Sequence, residues 1–135
     1  TAIWEKFIAL ASLSGATSLL RASMGQILGH PETKLLQRQL VDEAAAVGRA
    51  AGQAIREALA EEIMSKLAAM PYAFRSSMSE DLERGKPLEL QWLSGRVHGL
   101  GQQLGVPTPG HSVVYRALVL HEQGRPEPPP VATSR

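Results

Sequence analysis

The stretch Phe7–Leu20, FIALASLSGATSLL, decides how this sequence folds. It carries no charge, and its larger apolar side chains recur at helical spacing. The run is too short to span a bilayer and lacks the basic leader of a signal peptide. Small residues interrupt it, and they allow neighbouring helices to approach closely: Ala9, Ala11, Ser12, Ser14, Gly15 and Ala16. The stretch therefore predicts the central helix of a bundle.

Lys6 directly precedes this uncharged run, and its helical face continues through Ala9, Leu10 and Leu13. A buried ammonium group loses favourable hydration unless a partner compensates for it. Lys6 is therefore either the solvated end of a core helix or a proton donor held in a cleft. Its position alone leaves both interpretations open.

The rest of the chain is also helical in pattern, and no alternating β-branched run predicts a strand. We predict about six helices, at roughly 2–21, 31–52, 56–69, 76–83, 88–104 and 109–122. Gly25 and Gly29 indicate a loop between the first two helices. The fold class is therefore all-α, with a helical domain at 1–123 and a proline-rich tail at 124–135 that we expect to be disordered.

Composition excludes several classes of function. A chain of 135 residues with 44% hydrophobic and 20% charged residues is typical of one folded domain. The net charge of +1 gives no reason to expect nucleic acid or an anionic membrane as a partner. Without cysteine, the chain has no disulfide, no thiolate metal ligand and no cysteine nucleophile. The absence of cysteine favours the cytoplasm only weakly.

The histidines, tryptophans and methionines are interpreted as structural. The four histidines are too scattered to predict a metal site, so we place them at the surface, in loops or in turns: His30, His98, His111 and His121. Trp4 and Trp92 are expected to anchor helix packing. Three methionines are expected to fill the core: Met64, Met70 and Met78.

Two further features could carry chemistry. Ser77 and Glu80 have capping-box spacing, and the helix start that they mark could also accept a carboxylate. Glu89 is predicted in the first turn of the fifth helix, where a glutamate usually answers the helix dipole. Each feature alone is more often structural. Together with Lys6 they supply the minimum for recognising a small hydroxy- or oxo-acid.

Five short motifs occur in an order that resembles the C-terminal helical domain of the ketopantoate reductase (2-dehydropantoate 2-reductase) family. The resemblance covers roughly residues 2–122. The motifs are Trp4-Glu5-Lys6-Phe7, Arg75-Ser76-Ser77-Met78 with Asp81, Leu88-Glu89, Ser94-Gly95 and Gly105-Val106-Pro107-Thr108-Pro109.

The resemblance implies a cytoplasmic reductase of the 6-phosphogluconate-dehydrogenase-like type. Such an enzyme has an N-terminal Rossmann domain that binds NADPH, and its active site lies between the two domains. The family reduces ketopantoate, a small 2-oxo acid, to pantoate on the route to pantothenate, and a homodimer is compatible with the fold. This sequence contains no Rossmann motif and begins at a helix without methionine, so we expect it to be a fragment that is inactive alone.

The resemblance also assigns roles to residues. Lys6 falls on the catalytic lysine that donates a proton to the ketone oxygen. Ser77 falls on a substrate-contacting serine, and Glu89 on a glutamate that helps to hold the substrate and the lysine. Leu10 and Ser14 occupy positions where the family has substrate-binding asparagines, and Ser94 replaces a third asparagine. A different 2-oxo acid, larger or more apolar, is therefore a serious alternative substrate.

Two other interpretations remain open at this point. A non-catalytic helical module for dimerisation or interaction would also explain the apolar first helix. A family relative that kept the fold and lost the activity would explain Leu10.

Overall fold

The computed structural model describes residues 1–131, and all regular secondary structure in that range is helical. Within residues 1–131 two 3₁₀ turns, Leu90–Trp92 and Val119–His121, accompany seven α-helices. The α-helices are α1 (Ala2–Leu20), α2 (Met24–Leu28), α3 (Pro31–Ala50), α4 (Leu59–Ala68), α5 (Ser77–Arg84), α6 (Ser94–Leu104) and α7 (Pro109–Leu118). The all-α prediction is confirmed. None of the helices in this range is long and apolar enough to cross a membrane.

Helix α1 lies at the centre of the bundle and packs against α3, α5, α6 and α7. At Gly15 this helix lies close to its neighbours, since an added Cβ would be 3.0 Å from the Ser94 hydroxyl and 3.4 Å from the Leu40 side chain. The small residues of the uncharged run therefore allow close helix packing, as predicted.

Two polar side chains buried in α1, Ser12 and Thr17, donate hydrogen bonds to carbonyl groups of the same helix. The Ser12 hydroxyl donates to the Ile8 carbonyl at 2.8 Å, and the Thr17 hydroxyl donates to the Leu13 carbonyl at the same distance. Thr17 also lies 2.6 Å from the hydroxyl of Ser76, at the start of α5. This pair fixes α5 against the C-terminal part of α1.

Helix α2 is an element that the sequence analysis missed, because Gly25 and Gly29 indicated a loop. Ser23 and Gln26 form a reciprocal capping box that starts this short helix. Gly25 is required there for packing, since a Cβ would lie 2.1 Å from the Tyr72 ring. The glycine therefore permits a close contact and does not break the helix.

Helix boundaries differ from prediction mainly around α6. That helix was expected from residue 88, but the backbone turns at Leu93 (φ −115°, ψ −102°) and α6 begins at Ser94. At the other end of the chain, the Arg125 amide donates to the Gly85 carbonyl at 3.1 Å, so contact with the bundle extends to that residue. The domain boundary at 123 and the disordered tail stay predictions, and residues 132–135 lie outside the described range.

Candidate active site

Three of the predicted site residues lie on one face of α1. Lys6, Leu10 and Ser14 are four residues apart, so they follow one another along about 12 Å of helix. Lys6 is exposed and Leu10 is 46% exposed, whereas Ser14 is almost fully buried. The face therefore changes from solvated to buried along the helix, with Leu10 at the transition.

The other two predicted residues meet this face across a cavity of about 410 Å³, which we call the α5 cavity. Leu10 and Ser14 form its α1 wall, and Ser77 and Glu89 line it from the other side. The remaining lining residues are Met78, Asp81, Trp92 and Leu93. Four of the five predicted site residues thus share one cavity.

The local structure that places Ser77 and Glu89 differs from the prediction. Ser76, not Ser77, caps α5, because its hydroxyl accepts from the Ser79 amide at 3.0 Å. Ser77 is consequently the first helical residue, and it is exposed. Glu89 precedes the 3₁₀ turn and does not lie in the first turn of α6. Its exposed carboxylate is available to a ligand.

Lys6 itself lines a second depression of about 480 Å³, which we call the α1–α4 groove. Each helix contributes residues at positions i, i+3, i+4, i+7, i+8 and i+11, which form one helical face. From the first helix these are Ala2, Glu5, Lys6, Ala9, Leu10 and Leu13; from α4 and its extension they are Leu59, Glu62, Ile63, Lys66, Leu67 and Met70. Leu10 borders both depressions, so they form one continuous surface.

An ion cluster centred on Arg56 bridges the two walls of the α1–α4 groove. The Arg56 guanidinium donates to both Glu5 oxygens at 3.2 Å and to the two Glu62 oxygens at 2.8 and 2.6 Å. The hydrogen bonds to Glu62 and Glu5 raise the pKa of Arg56, and the same contact lowers the pKa of Glu62. Arg56 and Glu62 are therefore charged at neutral pH.

Two apolar residues predicted to be structural, Trp92 and Met70, instead line these surfaces. Trp92 was expected to anchor packing, but it is 58% exposed and faces the α5 cavity. Met70 was expected in the core and borders the α1–α4 groove. Trp92 is the last residue of the 3₁₀ turn and does not lie in a long helix, so its packing position could not be inferred from helical spacing.

The sequence analysis also missed Arg56 and Lys66 as lining residues of the groove. The available signal was the amphipathic face of α4, on which Glu62 and Lys66 are one turn apart beside Ile63 and Leu67. That face could be read from the sequence. Its pairing with the Lys6 face depends on tertiary structure.

A second group of polar residues, Glu43, Ser94 and His111, lies inside the bundle; we call it the buried network. His111 was expected at the surface or in a turn, but it is fully buried. Its Nε2 donates to the Leu40 carbonyl at 2.8 Å, and its Nδ1 accepts from the Ser94 hydroxyl at 3.0 Å. Burial lowers the pKa of His111, so its imidazole is neutral.

The buried network is structural in spite of its residue types. Glu43 accepts hydrogen bonds from the Gly110 and His111 backbone amides, at 2.8 and 2.9 Å, and so caps α7. Its carboxylate does not orient the imidazole, and both ring nitrogens are already bonded. A serine–histidine–glutamate set arranged in this way cannot activate a nucleophile for an outside substrate. Within residues 1–131 no cluster of histidine and acidic residues has the composition of a metal site either.

The fold is similar to that of solved ketopantoate reductases. The chain superposes on the dimeric ketopantoate reductase of Staphylococcus aureus with a TM-score of 0.84 and 27% identity, covering 90% of this chain and 43% of that one. A ketopantoate reductase family structure from Ralstonia eutropha gives a TM-score of 0.81 and 28% identity, with 90% and 40% covered. A D-mandelate dehydrogenase shares the fold, with a TM-score of 0.77 at 18% identity.

The chain belongs to the ketopantoate reductase family: residues 1–122 match the family model for the ketopantoate reductase PanE/ApbA C-terminal domain. It is 30% identical over 120 residues to an uncharacterised oxidoreductase of Bacillus subtilis, covering 89% of this chain and 40% of that protein. It is 31% identical over 104 residues to a 2-dehydropantoate 2-reductase of Archaeoglobus fulgidus, with 77% and 34% covered. The chain thus spans about two fifths or less of the length of these relatives.

Proposed function

We propose that this chain is the substrate-binding helical domain of an NADPH-dependent 2-oxo acid reductase in which Lys6 is the proton donor. The observation that carries the proposal is the continuous surface that begins at Lys6, passes Leu10 and Ser14, and faces Ser77 and Glu89. Membership of an oxidoreductase family supports the reaction class.

NADPH, when bound, supplies a hydride to the ketone carbon. We assign its binding to an N-terminal Rossmann domain joined to this one, because residues 1–131 are all helical and contain no strand–turn–helix for a dinucleotide. The open groove fits this arrangement, since Lys6 stands exposed on its wall and can be approached from outside the bundle.

The role of Lys6 follows from the charge that develops on the substrate. As hydride adds to the ketone carbon, the electron pair of the C=O π bond moves onto oxygen. The Lys6 ammonium donates a hydrogen bond to that oxygen and then transfers the proton, which gives the 2-hydroxy acid. The neutral amine regains a proton from solvent, to which it is exposed. Ser77 and Glu89 hold the substrate from the opposite wall.

Ketopantoate, the substrate of the family, is the first candidate. Leu10 sits half-exposed at the junction of the two depressions and offers no hydrogen bond to the hydroxyl group of ketopantoate. A 2-oxo acid with a more apolar side chain is therefore the second candidate. Leu10 and Trp92 supply the apolar surface for it.

The proposal extends to assembly and location. The S. aureus relative is described as dimeric, and we expect the complete protein to be a cytoplasmic homodimer. Light scattering on the purified complete protein measures the mass directly. A monomer at micromolar concentration would contradict the dimer without affecting the catalytic proposal.

The deciding experiment follows NADPH oxidation by the complete protein with ketopantoate and a panel of apolar 2-oxo acids. Wild type is compared with Lys6→Ala and with Lys86→Ala, an exposed lysine outside both depressions. Turnover that needs Lys6 and not Lys86 supports the proposal. A folded protein that binds NADPH and reduces no member of the panel would overturn it and favour an unrelated substrate or a family relative that kept the fold and lost the activity.

A further inference from the structure

The last turn of α5 and the C-terminal end of α1 border a third depression, of about 240 Å³, which we call the arginine cavity. None of its lining residues lines the α5 cavity or the α1–α4 groove. The lining residues are Arg21, Arg75, Leu82, Glu83, His121 and Arg125. Three of the six are arginines and one is a carboxylate, so the cavity has an excess of positive charge.

Hydrogen bonds bring two of the arginines together at Glu83. Arg75 donates to the Glu83 carboxylate and, at 2.7 Å, to the Ser79 hydroxyl. The Arg125 Nη2 lies 3.5 Å from the Glu83 carbonyl, and the backbone amide of Arg125 is bonded to the Gly85 carbonyl at 3.1 Å. The guanidinium groups of Arg75 and Arg125 therefore both lie at the last turn of α5.

Arg21 reaches the same cavity from the end of α1. Its Nη1 donates to the Leu19 carbonyl at 3.2 Å. Two residues earlier in α1, the Thr17 carbonyl accepts from the Ser79 hydroxyl at 3.3 Å, and Ser79 is also the partner of Arg75. Arg21 and Arg75 are thus both held at the last turn of α1, on the wall of one small cavity.

The three arginines have more N–H groups than protein acceptors. Each guanidinium carries five N–H donors. Within residues 1–131 the guanidinium groups of Arg21 and Arg125 are each bonded to one backbone carbonyl, and that of Arg75 to Ser79 and Glu83. Most of the donors around the cavity are therefore available to an anionic ligand.

The backbone of Arg21 gives an independent indication. This residue follows α1 in the left-handed conformation, with φ 48° and ψ 47°, where glycine is the usual residue. In the described part of the chain no other residue besides glycine has a positive φ. A Cβ makes that conformation unfavourable. The sequence therefore places a guanidinium at the cavity in spite of a backbone that disfavours any side chain.

We propose that the arginine cavity binds the phosphate group of a small ligand, either inorganic phosphate or a phosphate monoester. Guanidinium groups bind phosphate through pairs of N–H···O hydrogen bonds, and here three of them surround one small space. The three arginines and Glu83 have a net charge of +2, which balances a phosphate dianion. The site is independent of the proposed reaction, because it shares no residue with the surface that begins at Lys6.

The test is a calorimetric titration of the complete protein in the presence of NADPH, which occupies the phosphate-binding groups of the cofactor site. The probes are inorganic phosphate and glycerol 3-phosphate, with ionic strength held constant by chloride. Wild type is compared with Arg21→Gly, Arg125→Met and the control Arg116→Met, an exposed arginine of α7 that lines none of these three depressions. Both cavity variants should bind phosphate about tenfold more weakly or worse, and the control should match wild type.

Arg21→Gly separates phosphate binding from folding. Glycine adopts the left-handed conformation without strain, so the melting temperature should equal or exceed that of wild type while the affinity for phosphate falls. If Arg21 served only to end α1, the variant would keep its affinity for phosphate.

Two results would overturn the proposal. One is an unchanged affinity for phosphate in both Arg21→Gly and Arg125→Met, and the other is that wild type binds neither probe at millimolar concentration. Arginine-dependent binding supports the site, and the comparison of probes then identifies the source of the phosphate group. Tighter binding of glycerol 3-phosphate indicates a phosphate monoester, and tighter binding of the free ion indicates inorganic phosphate.

Discussion

The α1–α4 groove and the buried network both combine acidic and basic side chains, but they differ in whether those side chains are exposed and in whether they have hydrogen-bond partners. In the buried network every functional atom of Glu43 and His111 has a partner inside the bundle, and neither residue is accessible. In the groove Lys6 and Lys66 are exposed and, within the described residues, have no carboxylate partner. The residue types alone would have favoured the buried set as the catalytic one.

This difference shows that two properties identify a functional residue better than its type does: exposure to solvent, and polar groups that have no partner within the described residues. Burying a polar group without a hydrogen bond costs free energy, so polar groups with a structural role are expected to be fully hydrogen-bonded. Unpaired charges are tolerated only where water or a ligand solvates them. Water or a ligand can solvate the charges of the groove, whereas neither can reach the buried network. Variants at the two places should therefore fail in different assays.

Lys6→Ala should show the largest difference between its effect on turnover and its effect on stability. Loss of the proton donor should lower kcat of the complete protein by about 10² to 10⁴, a range typical of general acid catalysis. The melting temperature should stay close to wild type, because the side chain is exposed and unpaired in the described structure. Turnover is measured by NADPH oxidation and stability by thermal unfolding. Activity within about tenfold of wild type would show that another group supplies the proton.

Glu43→Ala should show the reverse behaviour. It leaves the Gly110 and His111 amides without an acceptor at the buried start of α7, which should destabilise the fold by about 3 kcal/mol. The melting temperature should fall by about 10 °C.

The matched control for this variant is Glu61→Ala, which removes a surface carboxylate bonded to Arg38 and should change stability by about 0.5 kcal/mol or less. Similar losses for the two variants would contradict the structural role of the buried network.

The buried network should also make stability depend on pH. The pKa of His111 is lower in the fold than the usual value of about 6.5, so below that pH the unfolded chain binds the proton more readily than the fold does. The contribution of neutral His111 to the free energy of unfolding is therefore fully present above pH 6.5 and is lost as pH falls. The loss is no more than about 1.4 kcal/mol per pH unit.

Denaturant unfolding of wild type and His111→Gln between about pH 5 and 7 measures this contribution, since 6.5 is the usual histidine pKa. The other three histidines are common to both chains, so the difference reports His111. Identical pH profiles would show that His111 does not titrate between the folded and unfolded states in this range.

The smallest effect is expected for Leu10→Asn, which converts the apolar junction into a hydrogen-bonding one. If ketopantoate is bound across this junction, the amide can bond its hydroxyl group and kcat/KM should rise about tenfold. An apolar acid such as 3-methyl-2-oxobutanoate should lose efficiency in the same variant. An unchanged or lower rate with ketopantoate would indicate that its side chain lies elsewhere.

Much of the fold could be predicted because helical spacing and small residues are local signals. The uncharged run predicted α1 to within a residue of its end, and the predicted helix at 76–83 lies within one residue of α5 at both ends. α2 was missed because Gly25 serves a contact with Tyr72 that lies far away in sequence. The capping pair Ser23 and Gln26 was the local sign that could have revealed the helix.

The candidate site could be predicted only in part, for a similar reason. Lys6, Leu10 and Ser14 share a face by spacing alone, whereas their meeting with Ser77 and Glu89 depends on how α5 and the 3₁₀ turn pack. The burial of His111 was also invisible, since its partners Leu40 and Ser94 come from two other parts of the chain. Such tertiary hydrogen bonds leave no periodic trace in the sequence.

The central position of α1 has a consequence for how the protein is made. Within this domain α1 is synthesised before the other helices, yet Val114 of α7, which packs beside Gly15, is synthesised about 90 residues later than the end of α1. At ordinary translation rates the delay is roughly 5 to 20 s. During that interval the most apolar segment of the chain has no complete binding surface. Helix α3, which is synthesised soon after α1 and packs against it, is the first large partner that can cover this segment.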